Sequence, residues 1–170
     1  MTEKSNAAAA EKSGRAVSNA AITVLMPLIV AADQTVKHII SSGMQPGDSV
    51  PVISGIFHIT YVRNYGAAFS TLQHQTTLLR MFPLLLVCIM LFLLYRVFAK
   101  AHWTGRLALG LVAAGGIGNL IDRFMLGYVV DMFDFRVWPV FNIADIACVA
   151  GCGLLALYVL KFDSREDRKS

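Results

Sequence analysis

The amino-acid sequence predicts an all-α integral membrane protein: four transmembrane helices with a small β element on the outer side, between helices 1 and 2. Composition, the spacing of charges and a local change of periodicity carry that prediction. Of 170 residues, 15% are charged and 56% hydrophobic, whereas soluble domains are roughly 25% charged and 45–50% apolar. The mean hydropathy is +0.59. Such a chain is neither a soluble globular domain nor a disordered segment. Its 15 basic residues are dispersed, unlike the clustered patch of a nucleic-acid binder.

Residues 1–17, Ala/Ser-rich with mixed charge, are expected as a disordered tail. Residues 18–161 form the membrane domain, and 162–170 a second tail. Charge-free runs occupy 16–32, 81–95, 107–121 and 146–160. Fifteen helical residues rise roughly 22 Å, short of the roughly 30 Å hydrocarbon core. Each helix must therefore continue past its charged neighbours, giving spans at 18–40, 77–99, 105–127 and 140–161. The first run leads into Asp33-Gln34-Thr35-Val36-Lys37 rather than a small-residue cleavage site, so it reads as a retained helix. Pro27 inside it is tolerated, because membrane helices re-satisfy the freed carbonyl locally.

Segment 41–75 reads differently. Pro46-Gly47-Asp48 and Ser54-Gly55 are turn signals. Val50–Ile53 and Phe57–Val62 are rich in β-branched and aromatic residues, with Phe57, Ile59 and Tyr61 alternating against His58 and Thr60. That period of two predicts short strands with one apolar face. In the third span, Gly110, Ala114 and Gly118 form a small-residue stripe suited to close helix contact. Val149-Ala150-Gly151-Cys152, which looks like a lipidation signal, lies inside the fourth span and reads as packing.

Ten Lys and Arg fall on the side of the two tails and the 97–106 loop, against five on the other. The positive-inside rule places both termini in the cytoplasm. Six of the eleven acids gather on the outer side: Asp33, Asp48, Asp122, Asp131, Asp134 and Asp145.

Ionisable residues beside membrane spans are costly and mark candidate functional sites. Asp33 and Lys37 stand at i,i+4, acid before base, which suits a stabilising ion pair as well as a functional role. Asn119, Asp122 and Arg123 share a face at the end of the third helix; Asn142 and Asp145 share one at the start of the fourth. Asp131 and Asp145 flank a short connection through Trp138-Pro139, which makes helices 3 and 4 antiparallel neighbours with both acids at one depth. Two adjacent carboxylates cannot both ionise cheaply, so their pKa values separate and supply a general base and a general acid. The alternative is a pair of helix-end acids, with Asp145 on a helix N-terminus. His38, His58, His74 and His102 lack metal-ligand spacing on one helix. Cys88, Cys148 and Cys152 sit in apolar runs and read as packing residues.

Five blocks then carry a family resemblance: Asp33-Gln34-Thr35-Val36-Lys37, Asn64-Tyr65-Gly66-Ala67-Ala68-Phe69-Ser70, Gly118-Asn119-Leu120-Ile121-Asp122-Arg123, Gly127-Tyr128-Val129-Val130-Asp131 and Phe141-Asn142-Ile143-Ala144-Asp145. In order and spacing, from about residue 20 to 160, the chain resembles lipoprotein signal peptidase (signal peptidase II), an aspartic protease family of the bacterial inner membrane. The resemblance implies cleavage of a prolipoprotein just before its diacylglyceryl-modified cysteine, at the periplasmic face, by a multi-pass protein with cytoplasmic termini. It assigns Asp131 and Asp145 as catalytic. Asn64, Asn119, Arg123 and Asn142 would contact substrate or support the dyad, and Asp33, Lys37 and Asp122 would be structural. It further implies a β cradle with a short periplasmic helix, no metal or other cofactor, and inhibition by globomycin. The expected partners are the prolipoprotein and the phospholipid bilayer, with no nucleic acid, and the expected state is a monomer. Tyr65 stands where the family usually has Thr and Ala114 where Gly is common, and the N-terminal tail lies outside the resemblance.

Two other readings compete. A proton-coupled carrier would spread acids through the membrane depth, whereas here they gather at one side. A non-catalytic membrane subunit would present the β segment to a partner.

Overall fold

The computed structural model describes residues 2–66 and 76–166. In chain order the elements are α1 (Thr2–Gly43), β1 (Ser49–Ile53), β2 (Phe57–Asn64), α2 (Thr76–Phe92), α3 (Trp103–Met125), β3 (Val129–Asp134) and α4 (Ile143–Glu166). A π turn, Leu93–Val97, and a 3-10 turn, Phe98–Lys100, extend α2. Four apolar segments are long enough to cross a membrane: Asn19–Gly43, Thr77–Val97, Trp103–Met125 and Ile143–Lys161. They match the four spans expected from charge spacing to within a few residues. α1 starts at Thr2, so backbone expected to be a disordered tail continues the first helix. Ala7–Ala10, the strongest helix formers, lie in that stretch.

α3 is the central helix. Half of its membrane segment is buried, against 17% or less for the other three. Small residues allow this. A methyl group added at Gly110 would stand 2.8 Å from Ile22 Cγ2 on α1, and one at Gly116 2.6 Å from Val87 Cγ2 on α2. At Gly115 it would run into the Ala144 carbonyl oxygen and lie 2.6 Å from Cys148 Sγ, both on α4. Gly151 of α4 reciprocates, 2.7 Å from the Ala108 carbonyl and 2.8 Å from the Val112 nitrogen. The small-residue stripe is thus a packing feature, and so is Gly151, but Val149 and Cys152 are exposed; of the three free cysteines, expected as packing residues, Cys88 and Cys152 are exposed and only Cys148 is partly buried, against Gly115 of α3. Near the α3 N-terminus, the buried Arg106 hydrogen-bonds the Asn19 side chain of α1.

At the end of the bundle away from the two termini the strands form one antiparallel sheet in the order β1-β2-β3. The first two strands lie where the run Val50–Ile53, rich in β-branched residues, and the alternation of Phe57–Val62 predict them. The third comes from the α3–α4 connection, which the sequence reading left without a strand. Five of its six residues are buried, so no alternation marks it. Its register sets Val62 opposite Asp131 and Asn64 opposite Val129. Tyr61, Val130 and Met132 make a small core beside the sheet, closed by Val36 and Ile40 of α1, by Met44 just after it and by Ile59. Residues 67–75, which complete the expected outer segment and include Ser70 and His74, lie outside the described residues.

The tight α3–α4 contact yields a contrast between two glycines. Gly115→Ala should destabilise by about 1–3 kcal/mol, because backbone and sulfur must give way. Gly153→Ala, with nothing within 4 Å of the added methyl, should be neutral or slightly stabilising, since Ala is the better helix former. Thermal unfolding of the two variants in detergent distinguishes these outcomes; equal melting temperatures would mean the helices do not approach this closely.

Candidate active site

Three parts of the chain meet at the outer end of the bundle: α1 at residues 33–37, the last turns of α3, and β3 with the start of α4. Gly118 makes the meeting close, since a methyl group there would lie 2.7 Å from Asp33 Oδ2 and 3.0 Å from Ala144 Cβ.

Lys37 lies at the centre. Its ammonium is 2.8 Å from Asp33 Oδ2 and 3.1 Å from Asp122 Oδ2, and donates to Asn119 Oδ1 at 3.0 Å. Asp33, Lys37 and Asp122 are 0%, 3% and 2% exposed. Buried charge on this scale persists only when paired and fully hydrogen-bonded, and the remaining lone pairs are indeed used. Gln34 Nε2 lies within hydrogen-bonding distance of Asp122 Oδ1, the Gly118 carbonyl and Asp33 Oδ2, at 3.0, 3.0 and 3.2 Å. The Val130 N–H donates to Asp122 Oδ2 at 2.9 Å, and the Ala144 N–H to Asp33 Oδ1 at 2.9 Å. One buried cation thus joins α1 to α3, and the acids beside it hold the start of β3 and the first turn of α4.

Asn119 and Asn142 carry this arrangement to Asp131 and Asp145. Asn142 caps α4: its Oδ1 accepts from the Asp145 N–H at 2.9 Å, while its own N–H donates to Asp145 Oδ2 at 3.2 Å. This reciprocal pair satisfies two otherwise orphaned donors at a helix start. The Asn142 amide then donates to Asp131 Oδ1 at 2.7 Å and to Asn119 Oδ1 at 3.0 Å. Asn119 Nδ2 donates to Asp145 Oδ1 at 2.8 Å. Because Asn119 Oδ1 already receives Lys37 and Asn142, its amide orientation is fixed. Asn64 Nδ2 of β2 donates to Asp131 Oδ2 at 2.9 Å, and its Oδ1 accepts the Gly66 N–H at 2.8 Å. Every carboxylate oxygen of Asp131 and Asp145 therefore accepts an N–H.

The two acids differ in setting. Asp131 is 1% exposed, and burial pushes its carboxyl up to about 6, helped by the negative charge of Asp145. The amides of Asn64 and Asn142 and the charge of Lys37 pull the other way. Asp145 is half-buried and borders an open groove of about 690 Å³ with Trp138, Phe141, Ile146 and Val149. The arrangement thus sets two carboxyls, bridged by Asn142, beside a space large enough for a peptide segment. Among the described residues no group of three or more His, Cys, Asp or Glu side chains has metal-holding geometry.

Eight of the nine residues singled out from the sequence fall in this one hydrogen-bonded network. Arg123 does not: its backbone carbonyl accepts from Arg80, and the residue borders a small cavity of about 30 Å³ with Asn64, Tyr65, Arg80 and Tyr128. The structure shows the Asp33–Lys37 ion pair and sets Asp145 in the first turn of α4, where it accepts the Asn142 N–H and borders the groove. Gln34 was missed as a site residue. It sits inside the first motif, but only the fold shows that its single amide serves α1 and α3 together.

Comparisons with known proteins show the family and the fold. A family model described as Signal peptidase (SPase) II matches residues 25–161. The chain is 44% identical over 137 residues to a lipoprotein signal peptidase of Moorella thermoacetica, covering 81% of this chain and 91% of the relative. It is 41% identical over 145 residues to that of Clostridioides difficile, covering 84% and 97%. A bacterial membrane enzyme solved in meso at 2.3 Å resolution superposes with a TM-score of 0.78 at 30% identity, covering 86% of this chain and 91% of that one. A second, solved at 1.9 Å, gives 0.76 at 32% identity, covering 84% and 94%. By sequence over most of its length and by fold, the chain belongs to the signal peptidase II family of lipoprotein signal peptidases.

Proposed function

We propose that this multi-pass membrane peptidase cleaves prolipoproteins by an aspartic mechanism, using Asp131 and Asp145, just before the diacylglyceryl-modified cysteine. The observation that carries the reading is the Asn142 bridge: one side chain donates to Asp131 Oδ1 while its backbone N–H donates to Asp145 Oδ2. Two carboxyls held by one residue are suited to share a proton, the condition for general acid and general base to act on one bond. The ionised member removes a proton from water, and the protonated member polarises the scissile carbonyl and then passes its proton to the leaving amine. The shared proton belongs to the pair rather than to either residue.

Other roles follow from position. Asn64, Asn119 and Asn142 orient the dyad, and Lys37, Asp33 and Asp122 anchor those asparagines. Arg123, on the Asn64 side, holds carbonyl groups of the extended substrate. The groove beside Asp145 opens on the face of α4 where Ile146 and Val149 are exposed. Lateral entry of the lipidated substrate from the bilayer fits that opening. With ten basic residues on the side of the tails, the reading places both termini in the cytoplasm and the site near the periplasmic face of the inner membrane. It further takes the working unit as a monomer, inhibited by globomycin.

The direct test is conversion of a diacylglyceryl-modified prolipoprotein by the purified protein, followed by gel shift. Asp131→Asn and Asp145→Asn should each lower the rate by at least about 10²–10⁴-fold, and globomycin should stop the wild type. Near wild-type rates in either folded variant would remove the dyad.

A pH dependence also follows. The fold raises Asp131 from its ordinary 3.8 to about 6, so the folded state favours the protonated form. Below the unfolded value the group takes nothing from stability. As pH rises through the two values the unfolded chain releases its proton first and stability falls, the loss being complete above the folded value. Asp131→Asn cannot titrate. Its melting temperature, relative to wild type, should therefore move in the variant's favour between about pH 4 and about pH 7.5. A difference that stays flat, or moves the opposite way, would contradict the burial of this carboxyl.

A further inference from the structure

The turn from α3 into β3 delivers Asp131 to the site, and it is held from two sides. On the inner side, Asp122 does the holding. Its backbone carbonyl accepts the Leu126 and Gly127 N–H groups at 2.7 and 3.2 Å, while its carboxylate accepts that of Val130. On the outer side, α2 reaches the turn through Arg80. Its Nε donates to the Arg123 carbonyl at 2.8 Å, and its guanidinium carbon lies 5.8 Å from the centre of the Phe124 ring. The same side chain shares with Arg123, Asn64, Tyr65 and Tyr128 the walls of the cavity of about 30 Å³. Gly127, at φ +83, brings the backbone to the edge of this guanidinium, and a methyl group there would sit 3.9 Å from Arg80 Nη2.

We propose that Arg80 is a positioning residue for substrate: by binding the Arg123 carbonyl and lying against Phe124, it fixes the backbone from which Arg123 reaches substrate beside the cavity both line with Asn64. The proposal deepens the functional reading above and rests on it, because it takes Arg123 as a donor to substrate. The chemistry suits arginine in particular. A helix leaves its last carbonyls without intrahelical partners, and a planar guanidinium can bind one of them edge-on while its face lies on an aromatic ring. Lysine can supply one donor to the carbonyl but not the planar contact. Arg80 also links α2, none of whose described residues joins the network at Lys37, to the segment that carries Asp131.

A simple helix cap would have different consequences, and steady-state cleavage of diacylglyceryl-modified prolipoprotein by the full chain separates them. Arg80→Lys, which keeps a donor for the Arg123 carbonyl, should melt close to wild type yet raise KM by about tenfold, with kcat within about twofold. Arg80→Ala should raise KM further. Combined with Arg123→Ala it should add little to the KM of Arg123→Ala alone, because Arg80 acts through Arg123. If both Arg80 variants keep the wild-type KM and lose only melting temperature or active fraction, Arg80 is a cap and the proposal fails, while the role of Arg123 stands. Effects that multiply in the double variant also overturn it. An unchanged KM in Arg123→Ala would remove the substrate role of Arg123 itself, and with it the proposal.

Discussion

Lys37 is the interaction on which the rest of the structure depends. An ammonium group withdrawn from water costs several kcal/mol even after relaxation, and here it lies among apolar helices at 3% exposure. Two aspartates from different helices and one asparagine complete its surroundings. Each of those partners is committed again: Asp33 to the first turn of α4, Asp122 to the start of β3, Asn119 to Asp145. Removing the lysine would leave its acids buried without their cation. The arrangement is therefore closer to a keystone than to an ordinary surface ion pair, which contributes about 0–1 kcal/mol.

The same network links stability to chemistry. Asn142 is at once the cap of α4 and the bridge between Asp131 and Asp145, so the geometry of the proposed dyad is inherited from a helix start. Asp131 is placed on a strand rather than a helix, and β2 supplies Asn64 to its second oxygen. The outer sheet thereby acts as a wall of the site as well as a cover over it. Lys37 partly offsets the charge of the acids around it, while burial raises the Asp131 carboxyl to about 6, so it keeps its proton to a higher pH than an exposed aspartate. That preference costs stability at higher pH, the usual exchange where a group is prepared for proton transfer.

Much of this was legible in the sequence. The spans could be read because charges interrupt apolar runs at intervals that bilayer thickness makes meaningful, β1 because Val50–Ile53 is rich in β-branched residues between turn signals, and β2 because Phe57, Ile59 and Tyr61 alternate with polar neighbours. The site residues could be read because ionisable groups beside membrane spans are rare, and because their five motifs match a known family in order. What stayed hidden depends on three-dimensional pairing. β3 is buried almost throughout and shows no period of two. Gln34 looks like an ordinary motif residue until α1 and α3 cross at Gly118. Arg80 counts as one more flanking charge until α2 sets it against the end of α3. The N-terminal segment shows the converse: its polarity suggested a tail, while its alanines favour the helix in which its backbone lies.

The most direct test of the central claim is to replace Lys37 with Met and measure thermal unfolding and the initial rate of prolipoprotein cleavage on the same preparation. The expectation is a loss of about 3–5 kcal/mol, as for other buried ion pairs broken on one side, together with loss of cleavage. Part of the stability should return when Asp33→Asn is added to the same chain. Wild-type melting and wild-type cleavage in Lys37→Met would contradict it, and would mean that the two aspartates are held by something other than this buried charge.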